Sequence, residues 1–104
     1  MISTHILDIS RGIPASGIQV YLEKKQAENW ISQKSGRTNS DGRFVFDCEV
    51  VAGIYQIIFE IEHYFKKGSF FMNTPVVFKI EEIDRKYHVP LLLSPFGYST
   101  YRGS

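Results

Sequence analysis

Gly17-Ile18-Gln19-Val20-Tyr21-Leu22-Glu23-Lys24 is the stretch that decides the fold. Ile18, Val20 and Leu22 point one way, and Gln19, Tyr21 and Glu23 the other. This period of two belongs to a strand with one face on a core and one in water. Further along, Asn39-Ser40-Asp41-Gly42 is a strong turn signal, because Asp-Gly accepts positive backbone φ. Beyond it alternation resumes, with Phe44, Phe46 and Cys48 on one face and Arg43, Val45 and Asp47 on the other. Gly53 then opens a strand that turns Tyr55, Ile57, Phe59 and Ile61 inward.

The rest of the chain has the same grain. Residues 2–9 form an apolar run that ends before Arg11-Gly12, and residues 29–37 a more polar strand. Residues 75–83 begin at Pro75, a first position where proline is tolerated. Residues 86–93 form the next strand, then a turn at Ser94-Pro95-Phe96-Gly97 leads into a last strand over 98–103. Glu62-His63-Tyr64-Phe65-Lys66-Lys67 predicts one short helix, stopped by Gly68. The expectation is an all-β sandwich of eight short strands with one short helix, in a single domain over residues 1–104.

A chain of 104 residues buries about two-thirds of its unfolded surface, enough for one core. Twelve Lys and Arg against 11 acids leave a net charge of +1, which gives no footprint for nucleic acid or an acidic membrane. Cys48 is the only cysteine, so no internal disulfide forms, and its place beside Phe44 and Phe46 predicts a buried, inert thiol. No apolar run approaches the ~20 residues of a membrane helix. The N-terminus lacks the basic and apolar regions of a signal peptide, and a cytoplasmic location is expected.

Few residues offer chemistry. His5 shares a strand face with Ser3 and Leu7, and His88 shares one with Pro90 and Leu92; His63 sits by the expected helix. No Cys-x-x-Cys or His-x-x-x-His spacing occurs, so no metal is expected. There is no Gly-x-Ser-x-Gly elbow and no phosphate-cradling glycine loop. Arg43 comes directly after the tight turn and faces away from the phenylalanines; alone it reads as a solvated arginine. The tail is odd. Tyr98-Ser99-Thr100-Tyr101-Arg102-Gly103-Ser104 has no aliphatic side chain, although a strand with one core face should alternate. It reads either as a polar edge strand kept from aggregating or as a strand lining a site or interface.

Ser3-Thr4-His5-Ile6-Leu7-Asp8, the turn Thr38 to Arg43, Tyr64-Phe65-Lys66-Lys67, and above all the tail from Tyr87 to Tyr101-Arg102-Gly103-Ser104 resemble the transthyretin-related 5-hydroxyisourate hydrolases. The resemblance covers about residues 2–104, and the Tyr-Arg-Gly-Ser ending is what separates these enzymes from the hormone-carrying transthyretins. It implies a prealbumin-like sandwich and hydrolysis of 5-hydroxyisourate to 2-oxo-4-hydroxy-4-carboxy-5-ureidoimidazoline in urate breakdown, with no cofactor. It also implies a homotetramer, a dimer of dimers, with active sites in clefts between the dimers. His5, Arg43 and His88 would be catalytic, and Tyr101, Arg102, Gly103 and Ser104 would bind substrate. Two departures stand out: Lys86 replaces the first histidine of the family's His-Tyr-His-Val-Pro, and the proline after the helix is displaced to Pro75. The rival readings are a non-catalytic transthyretin-like binder of small molecules and a monomeric interaction module.

Overall fold

The alternation of residues 17–24 is realised in a computed structural model that describes residues 1–104. Ile18, Val20 and Leu22 are all buried, while Gln19, Tyr21 and Glu23 face outward. The chain forms nine strands in order: β1 (Ile2–Asp8), β2 (Ile13–Pro14), β3 (Gln19–Gln26), β4 (Asn29–Arg37), β5 (Arg43–Phe46), β6 (Gly53–Phe59), β7 (Thr74–Ile80), β8 (Tyr87–Ser94) and β9 (Gly97–Thr100). They make two sheets. One has the order β2-β1-β8-β9, with β5 also paired to β1; the other is β4-β3-β6-β7.

The expected all-β sandwich is therefore present, with differences of detail. The ninth strand is the two-residue β2, which pairs Leu7 with Pro14 and is too short to give a periodic signal. The expected helix over 62–67 is not formed. Tyr64 N–H bonds to the Ile61 carbonyl and Gly68 N–H to the Phe65 carbonyl, two separate turns with no helical ladder between them. So short a segment cannot offset the cost of helix nucleation. Its tyrosine is instead drawn inward, where the Tyr64 hydroxyl reaches Asp8 Oδ2 at 3.1 Å.

The inner faces of the sheets meet in one core. Ile2, Ile6, Leu91 and Leu93 from one sheet oppose Val20, Leu22, Ile57 and Phe59 from the other. Each such side chain contributes about 1.5–3 kcal/mol when fully buried. The buried tyrosines keep their hydroxyls satisfied by reaching loop backbone. Tyr55 bonds to Val51 N–H and C=O, and Tyr87 to Glu82 N–H and C=O. Cys48 packs against the core edge and is only half-buried; burial, then the nearby Asp47 carboxylate, pushes its thiol above its ordinary range.

The strand pairings of the first sheet bring distant residues side by side. β1 and β8 run parallel, with Ser3 opposite His88 and His5 opposite Pro90. β5 runs antiparallel on the other side of β1, with His5 opposite Arg43. The turn into β5 is held by Asn39, whose side-chain oxygen accepts from the N–H of Asp41 and Arg43 at 2.9 and 3.0 Å. Gly42 has φ of 74°, and a Cβ there would collide with the Ile6 carbonyl oxygen, so only glycine fits.

Candidate active site

Period-two geometry sends Thr4 and Ile6 of β1 into the core and leaves Ser3 and His5 on the outer face. The same rule exposes Arg43 on β5, while Phe44 packs against the core and Phe46 is buried in it. On β8 it puts His88 outside, between buried Tyr87 and Val89. Arg43, His5, Ser3 and His88 thus lie across three adjacent strands of one sheet face.

The tail joins them. Beyond β9 the chain runs on along β8 in the same antiparallel register, and Gly103 N–H donates to the His88 carbonyl at 2.8 Å, an isolated bridge. A Cβ on Gly103 would lie 2.6 Å from His88 Cδ2 and 3.2 Å from Pro90 Cγ. The glycine backbone therefore lies directly against the imidazole. Ser104 continues into a shallow depression of about 240 Å³ whose lining includes Ser3, Arg43, Lys86, His88 and Ser104. His5 is not in that lining; it borders the depression through its strand partner Arg43.

His88 also lines a second hollow of about 230 Å³ on its other side, between the tail and β7. Tyr101 and Arg102 belong to that one. Arg102 stacks over the Tyr87 ring, 5.1 Å from its centroid, and Tyr101 is largely exposed. The structure therefore brings Arg43, His88 and Ser104 to one depression, with His5 paired to Arg43 and Gly103 bridged to His88 beside it. In the single chain it sets Tyr101 and Arg102 across His88 from Arg43.

Electrostatics favour neutral imidazoles. Burial first, then the Arg43 charge, lowers the His5 pKa below its ordinary value, while the backbone and carboxylate of Asp41 pull the other way. Burial again leads for His88, with Arg43 and His5 next, all three lowering it. Two uncharged histidines beside a permanent guanidinium can supply a base and a cation to the same ligand. His63 lies elsewhere, exposed and 3.2 Å from Glu62.

Ser3 is the site residue that sequence reasoning missed. Its hydroxyl lies 2.8 Å from His88 Nδ1, although 85 positions separate the two in sequence. The available signal was its place two residues before His5 on the same face. What gave no signal was the parallel register that sets it beside His88. Lys86, in sequence only a departure from the family pattern, also lines the depression.

A family model described as the HIUase/transthyretin family matches residues 2–103. The 5-hydroxyisourate hydrolase of Salmonella typhimurium is 44% identical over the whole of this chain and 81% of its own length. The mouse 5-hydroxyisourate hydrolase is 39% identical over 99% of this chain and 94% of its own. Among solved structures, the 5-hydroxyisourate hydrolase of Klebsiella pneumoniae superposes with a TM-score of 0.87 at 36% identity, covering 99% of this chain and 97% of that one. A sea bream transthyretin in complex with thyroxine gives a TM-score of 0.90 at 29% identity, covering 98% and 93%.

Proposed function

This chain belongs to the HIUase/transthyretin family, and from that membership we propose that it is a hydrolase that opens the ring of 5-hydroxyisourate in urate degradation. The observation that carries the reading is the convergence of His5, Arg43 and His88 beside the Gly103-Ser104 tail on one sheet face.

His88 is the general base. It takes a proton from water as the water oxygen attacks a ring carbonyl carbon, and returns it to the ring nitrogen as the C–N bond breaks. A base that is neutral at pH 7 suits this task, and such catalysis is worth about 10²–10⁴ in rate. Arg43 stabilises the negative charge that develops on the carbonyl oxygen; one such donor is worth about 10²–10³. His5, across the ladder from Arg43, orients the water or relays its proton. The Ser104 hydroxyl and Gly103 backbone border the substrate, with Tyr101 and Arg102 contacting it from the far side of His88. No cofactor has a part in these steps.

The site is open on one side, and its closure comes from a homotetramer built as a dimer of dimers. Supporting this are the unpaired edges β7 and β9, one in each sheet, and exposed apolar residues on the first sheet: Val45 in the lining of the depression, and Phe96 and Tyr98 at the β8–β9 turn. Dihedral assembly uses such surfaces isologously.

The test is a coupled assay in which an oxidase generates 5-hydroxyisourate from urate and its decay is monitored. Decay should accelerate in proportion to added protein and return to the spontaneous rate with His88→Ala. The likeness to a thyroxine-bound transthyretin favours a second reading, a small-molecule carrier. Saturable thyroxine binding with no acceleration by the tetramer would support that instead, and a monomer by light scattering would remove the assembled cleft.

A further inference from the structure

We propose that Ser3 is a positioning residue for His88: its hydroxyl, held against Nδ1, fixes the imidazole so that Nε2 is the nitrogen offered to the substrate. The inference deepens the hydrolase reading and rests on it for the meaning of the base.

The geometry is a clamp on both flanks of the ring. Nδ1 and Cδ2 are the two ring atoms bonded to Cγ. On the Nδ1 side, Ser3 sits at the same level of the parallel β1–β8 pair, with Oγ 2.8 Å from Nδ1. On the Cδ2 side lies Gly103, so close that a Cβ there would come within 2.6 Å. With both near atoms engaged, the far atoms Nε2 and Cε1 are the ones left for a ligand in the hollows that His88 lines. A half-turn of the ring about Cβ–Cγ would exchange Nδ1 and Cδ2. It would set a C–H against the Ser3 hydroxyl and forfeit the hydrogen bond, so one ring orientation prevails.

The same bond selects a tautomer. A neutral imidazole carries one N–H, and the partner of one nitrogen decides the state of the other. A hydroxyl has two lone pairs and accepts readily. With Nδ1–H donating to Ser3 Oγ, the Nε2 lone pair is free, as a base needs. No carboxylate hydrogen-bonds to His88; Ser3 is the side chain that orients it. A neutral orienting group suits this site, because it leaves the imidazole basicity to burial and to Arg43 and His5.

The experiment is nitrogen-15 NMR of the imidazoles in the whole protein at about pH 8, above the ordinary histidine pKa, with Ser3→Ala and Ser3→Thr beside the unaltered chain. His88→Ala assigns the resonance. The expected spectrum of the unaltered protein has Nδ1 protonated and Nε2 pyridine-like. Ser3→Ala should give exchange-averaged shifts of two tautomers, and kcat should fall about 10–100-fold, the scale of a misaligned catalytic group, with little change in KM. Ser3→Thr, which keeps the hydroxyl, should restore both. An Nε2-protonated His88 in the unaltered chain overturns the proposal. So does a Ser3→Ala protein with an unchanged tautomer and unchanged kcat. If the unaltered protein does not accelerate hydroxyisourate decay, the hydrolase reading fails, while the spectra still judge what Ser3 does to His88.

Discussion

Arg43 and His5 face each other across the β1–β5 ladder, and the charge of that arginine bears on both site histidines. Burial and this charge both disfavour imidazolium, so His88 keeps its base form to a lower pH than a free histidine. The acid limb of the kcat/KM profile should therefore fall below the ordinary pKa of about 6.5. In Arg43→Gln one source of repulsion is gone and burial remains, so the His88 and His5 pKa values should rise toward the ordinary value. An NMR titration reads this directly, and turnover should fall by about 10²–10³ as the oxyanion loses its donor. Unchanged histidine pKa values in Arg43→Gln would show that burial alone sets them.

Gly103→Ala should damage the site while sparing the fold. The added methyl meets His88 Cδ2 at 2.6 Å, so either the ring turns or the tail lifts away with Ser104. Both outcomes misplace groups in the depression, and a displacement near 1 Å costs about 10²-fold in rate. The bridge at Gly103 adds a single backbone bond outside the core, so the urea midpoint should move little. A large loss of stability with normal turnover in the folded fraction would contradict this placement of the tail.

Asp8 should govern stability rather than turnover. It is fully buried at the end of β1 and accepts from Ser10 N–H and hydroxyl, Arg11 N–H and Nε–H, and the Tyr64 hydroxyl. Burial pushes its carboxyl pKa up, but the hydrogen bonds from Ser10, Arg11 and Tyr64 outweigh it and hold the group below the usual range. The folded pKa lies below the unfolded one, so this contribution is complete above about pH 4 and is lost as the pH falls through the folded value. Asp8→Ala should cost on the order of 2–3 kcal/mol by urea denaturation at pH 7, since charge-assisted bonds are lost and donors stranded. Per-molecule activity of the folded protein should stay near normal.

The sequence by itself determined which residues face the core and which face out. Period-two alternation acts residue by residue, so the buried set Ile18, Val20, Leu22, Tyr55, Ile57, Phe59 and Ile61 was legible without a partner strand. So was the turn before Arg43, because positive φ at Gly42 is a local demand. The tail's lack of aliphatic residues marked it as unusual for the same reason, and its motif, with those around His5 and Arg43, carried the family. The tertiary structure alone decided who neighbours whom. Ser3 and His88 meet through a parallel pairing, whose register is fixed by how two distant apolar faces settle into one core. The predicted helix failed on similar grounds: its local signal was weak, and the contact of Tyr64 with Asp8 lies outside any window of neighbouring residues. The division of the tail, with Ser104 beside Arg43 and Tyr101 and Arg102 across His88, was likewise settled by the register in which the tail runs on along β8. Propensity and periodicity are local quantities; the shape of a site is a sum over long-range contacts, and packing determines it.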